Sequence, residues 1–259
     1  ARLKRDLKKR VPLWEAWWEK IDAWRDSYQF KEIDTADLRA KTSKLSRKPH
    51  SNSAAKALAN RRLTTPEVIS LVSYITGGRA IVTTGVGQHQ MYVAQYYRFN
   101  RAGALVTSGG SGTMGYDLPS AIGARYAAPK DVQVWGFFGD GGFQMTLQEL
   151  AVVSSEQLDI KMIIINDGYL GMVKQWQDLF YDKRLSAVYL GNPDFVKLAG
   201  SYAIPARRAT TWQEAVRGTV WAYKKRGPAL LDVWVNPDQH IYPMVSSGTP
   251  LAKQLLDKG

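Results

Sequence analysis

Two largely apolar runs, VQVWGFF at 132–138 and MIII at 162–165, stop at short acidic turns, GDGG and NDG. A strand with one wet face alternates polar and apolar residues, so runs like these belong to strands covered on both faces. Strands of that kind are at home inside a parallel sheet flanked by helices. Further strand-like runs lie at 80–85, 104–108 and 229–235, and helix-like stretches at 66–76, 89–99, 117–128, 144–157, 170–180, 193–201 and 211–226. Their alternation predicts an α/β fold, a doubly wound parallel sheet with helices on both faces. Thr65, before Pro66 and Glu67, is expected to cap the first of these helices. Ligands in this architecture collect at strand carboxyl ends, beside the point where strand order reverses. Asp140 and Asp167 stand at such ends.

The α/β domain is expected over 63–245, with a tail at 246–259. Before it, residues 1–30 predict one amphipathic helix on which Trp14, Trp17, Trp18, Ile21 and Trp24 recur at helical spacing, the pattern of a helix packed on an upstream domain. Residues 31–62 carry charge, Ser and Ala with few apolar anchors and read as a basic linker. The net charge of +12 invites a nucleic-acid reading, but residues 1–62 hold 17 Lys and Arg against 8 Asp and Glu, leaving 18 against 15 for the rest. The excess is local, so no nucleic-acid partner is expected. A basic arm that holds DNA in a salt-sensitive way is the competing reading.

Cysteine is absent, which excludes disulfides, zinc–thiolate sites and thiol nucleophiles and fits a reducing compartment. No run approaches the roughly 20 apolar residues of a membrane span, so no membrane partner is expected. The sequence opens on Ala1 in a charged run, with neither an initiator Met nor a signal-type apolar region, and is expected to be a piece of a longer protein.

One motif points elsewhere. GGSGTMG carries G-x-G-x-x-G at Gly110, Gly112 and Gly115, between a strand and a helix, which alone suggests a dinucleotide fold. The acid that would hold a ribose should close the next strand about 20 residues on; here that strand closes later, in Gly139-Asp140-Gly141-Gly142. Magnesium takes one or two carboxylates, with phosphate and water completing its octahedron. Asp140 and Asp167 on neighbouring strand ends supply two, with Gly141 and Gly142 expected to turn the chain and a helix from about Gln144 to face a diphosphate. Either Asp alone is more often a helix cap; together they favour the metal. Met172, Val173 and Trp176 follow, with Met172 and Trp176 on one helix face, either as a core stripe or as the wall of a binding channel.

The G-D-G and N-D pair, with GVGQHQMYVAQYY (85–97), GTMGYDLPSAIGA (112–124) and GYLGMVKQWQDLFYDKR (168–184), resembles the thiamine diphosphate signature of acetohydroxyacid (acetolactate) synthase catalytic subunits. The likeness covers about 63–245. It implies the carboxyl-terminal cofactor domain of a carboligase that uses thiamine diphosphate and Mg2+ to decarboxylate pyruvate and condense it with a second 2-ketoacid, in branched-chain amino acid biosynthesis. By resemblance the metal ligands are Asp140, Asp167 and the Tyr169 carbonyl. The cofactor would meet Val86, Gly87, Gln88, His89, Gly112, Met114, Gly139, Gly141, Gly142, Leu170, Gly171 and Met172, with Met114 holding it bent. Met172, Val173 and Trp176 would line the substrate channel. The pattern more often has Asp, Gly, a small polar residue and Asn where this chain has Gly85, Asp117, Gly142 and Asp167.

The resemblance also implies that no catalytic side chain lies in this chain, since the family's activating Glu sits in an amino-terminal domain of a neighbouring subunit. A homo-oligomer, FAD in the complete protein, a regulatory subunit and a cytoplasmic location, or a plastid one in a plant or alga, are implied with it. Competing readings are a non-catalytic thiamine diphosphate module, a pyruvate oxidase and a glyoxylate carboligase.

Overall fold

The computed structural model describes residues 62–246 and 248–256, together with Glu19 and Lys20. The helix and linker expected over 1–30 and 31–62 therefore lie outside the described residues, apart from Glu19, Lys20 and Arg62. Six strands, β1 (Ile81–Thr84), β2 (Leu105–Thr107), β3 (Val134–Gly139), β4 (Ile160–Asn166), β5 (Ala206–Ala209) and β6 (Ala229–Trp234), form one sheet in the order β2-β1-β3-β4-β6-β5. Every pairing is parallel. The helices are α1 (Thr65–Thr76), α2 (Gln88–Tyr96), α3 (Asp117–Ala127), α4 (Asp140–Met145), α5 (Leu150–Ser155), α6 (Gly171–Phe180), α7 (Phe195–Ser201) and α8 (Trp212–Lys224). No helix among the described residues is long and apolar enough to cross a membrane.

Both faces of the central strands are covered, as the apolar runs require. Trp135 and Phe137 of β3, with Ile163 and Ile165 of β4, pack on Val68, Val72, Val93 and Val216 of α1, α2 and α8. Their alternates Val134, Phe138, Met162 and Ile164 pack on Leu118, Phe143, Leu150 and Phe195 of α3, α4, α5 and α7. Each such side chain taken out of water contributes roughly 1.5–3 kcal/mol, so a polar residue on either face of β3 or β4 would cost stability.

Three local expectations are corrected. The cap of α1 is Thr64, whose amide and hydroxyl donate to Glu67 Oε2 at 3.0 and 2.8 Å, while Thr65 is the first helical residue. The helix expected over 144–157 is two helices, because Thr146 (φ −133°) leaves the helical region and its hydroxyl donates to the Gly115 carbonyl. Strand β5 was not expected at all. Its sequence, ARRA, has no apolar run because it lies at the sheet edge, where Arg208 pairs with Asp232 of β6 at 2.9 Å.

Candidate functional site

Strand β1 pairs with both β2 and β3, so the chain winds one way from β1 and then returns to wind the other. The crevice at this reversal opens at the carboxyl ends of β1, β3 and β4 into a cleft of about 190 Å³. From β1 it receives Val86, Gly87, Gln88 and His89; from β3, Gly139, Asp140, Gly141 and Gly142; and from β4, Asp167, Tyr169, Leu170 and Gly171, followed by Met172 and Val173 of α6. Met114 reaches in from the β2–α3 loop, and Thr65 and Ile165, which the sequence reading did not place at the site, complete the lining. Gly112 is not among the lining residues. It holds a left-handed turn (φ +64°) with open space around it. The G-x-G-x-x-G run lies in the loop after the edge strand β2, and its last glycine, Gly115, sits against Gly142 and Thr146.

Asp140 and Asp167 follow neighbouring parallel strands, the last residue of β3, Gly139, pairing with Ile165, the last but one of β4. Neither carboxyl caps a helix. Asp140 Oδ2 accepts from Gly168 N (2.8 Å) and Asn192 Nδ2 (2.6 Å), bridging the two strand ends, and Oδ1 accepts from Gly141 N (2.9 Å). Asp167 Oδ1 accepts from Tyr169 N at 2.8 Å, a turn contact four residues before the third residue of α6. Burial raises both carboxyls above the ordinary range, and the charge of Asp140 raises Asp167 further. Among the described residues no group of three or more His, Cys, Asp or Glu could hold an ion by itself. Two carboxylates that repel each other beside an open cleft fit Mg2+ whose remaining ligands come from phosphate and water.

Glycines Gly141 and Gly142 do not turn the chain as expected; both lie within α4 with ordinary helical φ. Gly141 instead clears space, since a side chain there would begin 2.9 Å from Leu170 Cδ2. Gly171 does the same more severely, its missing side chain lying 2.6 Å from both Asp167 Oδ2 and Gln88 Oε1. Helices α2 and α6 both begin at the cleft, and neither has a side-chain cap. Gln90 N of α2 donates to the Gly87 carbonyl, and the first-turn amides before it, like those of α6, have no side-chain cap, an arrangement that suits a diphosphate.

Helix α6 has its polar side inward. Lys174 and Gln175 are buried, Lys174 against Asp178 and Asp238, and Gln175 between Gln88 (2.7 Å) and the backbone of Ile241 (2.9 Å). Val173 is 46% exposed, and Trp176 packs on Phe180 (ring centroids 4.9 Å) rather than in the core. Met172, Val173 and Trp176 line an open groove of about 840 Å³ that continues from the cleft, and Met172 also packs against the core. The sequence reading also missed Asn192, which donates to Asp140 Oδ2 and to Asn166 Oδ1 (3.0 Å). No local motif marks it; only the fold brings it to Asp140.

Fold and cleft together define an α/β domain with a cofactor-sized cleft at the carboxyl ends of its strands. Residues 85–233 match the family described as thiamine pyrophosphate enzyme, C-terminal TPP binding domain, and the chain belongs to that family. Thiamine pyrophosphate is thiamine diphosphate under its other name. The chain is similar to the mitochondrial acetolactate synthase of Schizosaccharomyces pombe, 44% identical over 69% of this chain and 26% of that protein. It is 42% identical to the chloroplastic acetolactate synthase 1 of Oryza sativa, over 73% of this chain and 30% of that protein. The acetolactate synthase large subunit of Lactococcus lactis is 43% identical over 73% of this chain and 33% of its own length. The chain thus spans a third or less of these relatives.

Proposed function

We propose that this chain is the cofactor domain of an acetolactate synthase, which decarboxylates pyruvate and joins the product to a second 2-ketoacid. The observation that carries the reading is the convergence of Asp140 and Asp167, on paired strand ends, with the uncapped amino termini of α2 and α6. Asp140, Asp167 and the Tyr169 carbonyl hold Mg2+, and the first-turn amides of both helices take the diphosphate oxygens. When bound, thiamine diphosphate supplies the carbon nucleophile and the electron sink for the reaction. Met114, whose Cε lies 3.9 Å from the side-chain position of Gly141, supports the middle of the cofactor. Met172, Val173 and Trp176 border the path of the ketoacids and keep water from the reacting end.

No Glu lines the cleft among the described residues. We infer that the group which protonates the cofactor's aminopyrimidine comes from a neighbouring subunit, so the working form is a homo-oligomer. The exposed Val173, Phe180 and Tyr181 on and beside α6 support a covered face there. FAD and a regulatory subunit belong to the complete protein in this reading. Acetolactate formation tests it. The complete protein should turn pyruvate over and its Asp140→Ala variant should not, while this chain alone should stay inactive with saturating Mg2+ and thiamine diphosphate, because a lost general acid–base group costs about 10² to 10⁴ in rate. Turnover by the isolated chain would show that the acid–base group lies within it.

A further inference from the structure

Beneath the cleft two buried polar atoms face each other without a hydrogen-bond partner among the described residues, His89 Nε2 and Asp117 Oδ2, 3.8 Å apart. The imidazole is 5% exposed and the carboxyl not at all. Glycines make their room. A side chain at Gly85 would begin 2.7 Å from Asp117 Oδ2, and side chains at Gly87 and Gly139 would each begin 3.1 Å from His89 Nδ1. Since Gly87 and Gly139 line the cleft, Nδ1 is the ring nitrogen on the cleft side and Nε2 the one on the sealed side.

A separation of 3.8 Å is too long for a hydrogen bond, but a closure of about 1 Å makes one. His89 Nε2 has no other partner among the described residues, while the Asp117 carboxyl has only backbone amides such as that of Gly85 beside it, so burial of both groups favours closing the gap. Either group could donate, and charge decides which. An ionised Asp117 would be a fully buried carboxylate, with His89 the one basic side chain within 4 Å of it among the described residues. Burial pushes the Asp117 carboxyl up to about 7 and the His89 imidazole down to about 4, so of the two it is the carboxyl that holds the shared proton more tightly. An anion entering the cleft opposes ionisation of Asp117 further.

We propose that Asp117 is a positioning residue whose carboxylic acid donates to His89 Nε2, fixing the imidazole as the Nδ1–H tautomer and presenting that N–H to the diphosphate end of the cleft. The bond on one ring nitrogen decides what the other offers. Without Asp117 the ring is free to carry its proton on Nε2, which turns a lone pair on the anion. Gly85 is the necessary counterpart, because any side chain there displaces the Asp117 carboxyl. The role in cofactor binding rests on the diphosphate reading of the cleft; the tautomer does not.

Nitrogen-15 spectra of the histidine-labelled 259-residue chain test the proposal, with His89 told apart from His50 and His240 by a His89→Gln variant. The unsubstituted chain should show His89 as Nδ1–H. Asp117→Gly should shift the ring to Nε2–H and weaken thiamine diphosphate binding about tenfold, the scale of one hydrogen bond to a charged group. The double variant Gly85→Asp with Asp117→Gly returns a carboxyl to the same space from the β1 side and should restore Nδ1–H. An Nε2–H ring in the unsubstituted chain overturns the proposal, and this spectrum decides it even if the glycine variant fails to fold. An Nδ1–H ring in a chain that binds no thiamine diphosphate sinks the diphosphate reading and leaves the positioning role standing.

Discussion

Asp140 and Asp167 were legible as a pair because the chemistry is concentrated in short turns after unmistakable strands. What could not be read was how each is held, since Asp140 depends on Asn192, 52 positions away, and on the Gly168 amide. The glycines were legible as positions but not as reasons. At residue scale the charge of Asp167 is the sharpest test. Its carboxyl and that of Asp140 are both raised, so protons compete with Mg2+, and binding should strengthen with rising pH until both are ionised. In Asp167→Asn one competing proton and one negative charge beside the diphosphate are gone. Titration calorimetry should show thiamine diphosphate held about fivefold tighter at neutral pH, with a smaller loss on acidification; weaker binding by Asn would mean that the charge of Asp167 is needed. Gly171→Ala should leave the chain folded, because Ala favours a helix by about 1 kcal/mol over Gly. Its methyl would nevertheless drive Asp167 and Gln88 apart, and cofactor affinity should fall by about tenfold or more in the same assay. Unchanged affinity would free both side chains of any part in binding.

Among the elements, buried strands and amphipathic helices followed from periodicity, whereas β5 did not, because an edge strand can be stabilised by ion pairs that leave no apolar pattern. Asp232, fully buried in β6, accepts from Arg208 (2.9 Å), Asn166 (2.9 Å) and Trp234 (3.2 Å). Arg208→Ala strips the cation from that carboxyl and should lower the urea midpoint by an amount equivalent to about 2–4 kcal/mol, since breaking a buried pair leaves a charge uncompensated. A change under about 0.5 kcal/mol would make the pairing incidental. Helix α6 was ambiguous in a different way, for Val173 and Trp176 line the groove and Met172 touches both groove and core, while Lys174 and Gln175 are anchored inside. Trp176→Leu in the complete protein should leave cofactor affinity unchanged and shift the ratio of products made with pyruvate and with 2-ketobutyrate as acceptor. One methylene in an apolar wall is worth about 1–3 kcal/mol, and an identical ratio would place Trp176 outside the acceptor's path.

For the whole molecule, the decisive feature is that the sheet reverses its winding between β1 and β3, which brings the loop after β1 to the acidic turns after β3 and β4. The strand runs implied a doubly wound sheet and hence such a reversal, but strand order is a tertiary fact, so the exact neighbours were not legible. The same geometry explains why a metal site can be built from only two carboxylates: the cofactor is expected to bring the remaining charge with it. Calorimetry of thiamine diphosphate into this chain, with excess Mg2+, with chelator, and in Asp140→Ala, measures that dependence directly. The account predicts saturable one-to-one binding with Mg2+ that falls at least tenfold with chelator and equally in Asp140→Ala, whose fold survives because the residue sits at a strand end beside an open cleft. Binding that ignores both Mg2+ and Asp140 would contradict it.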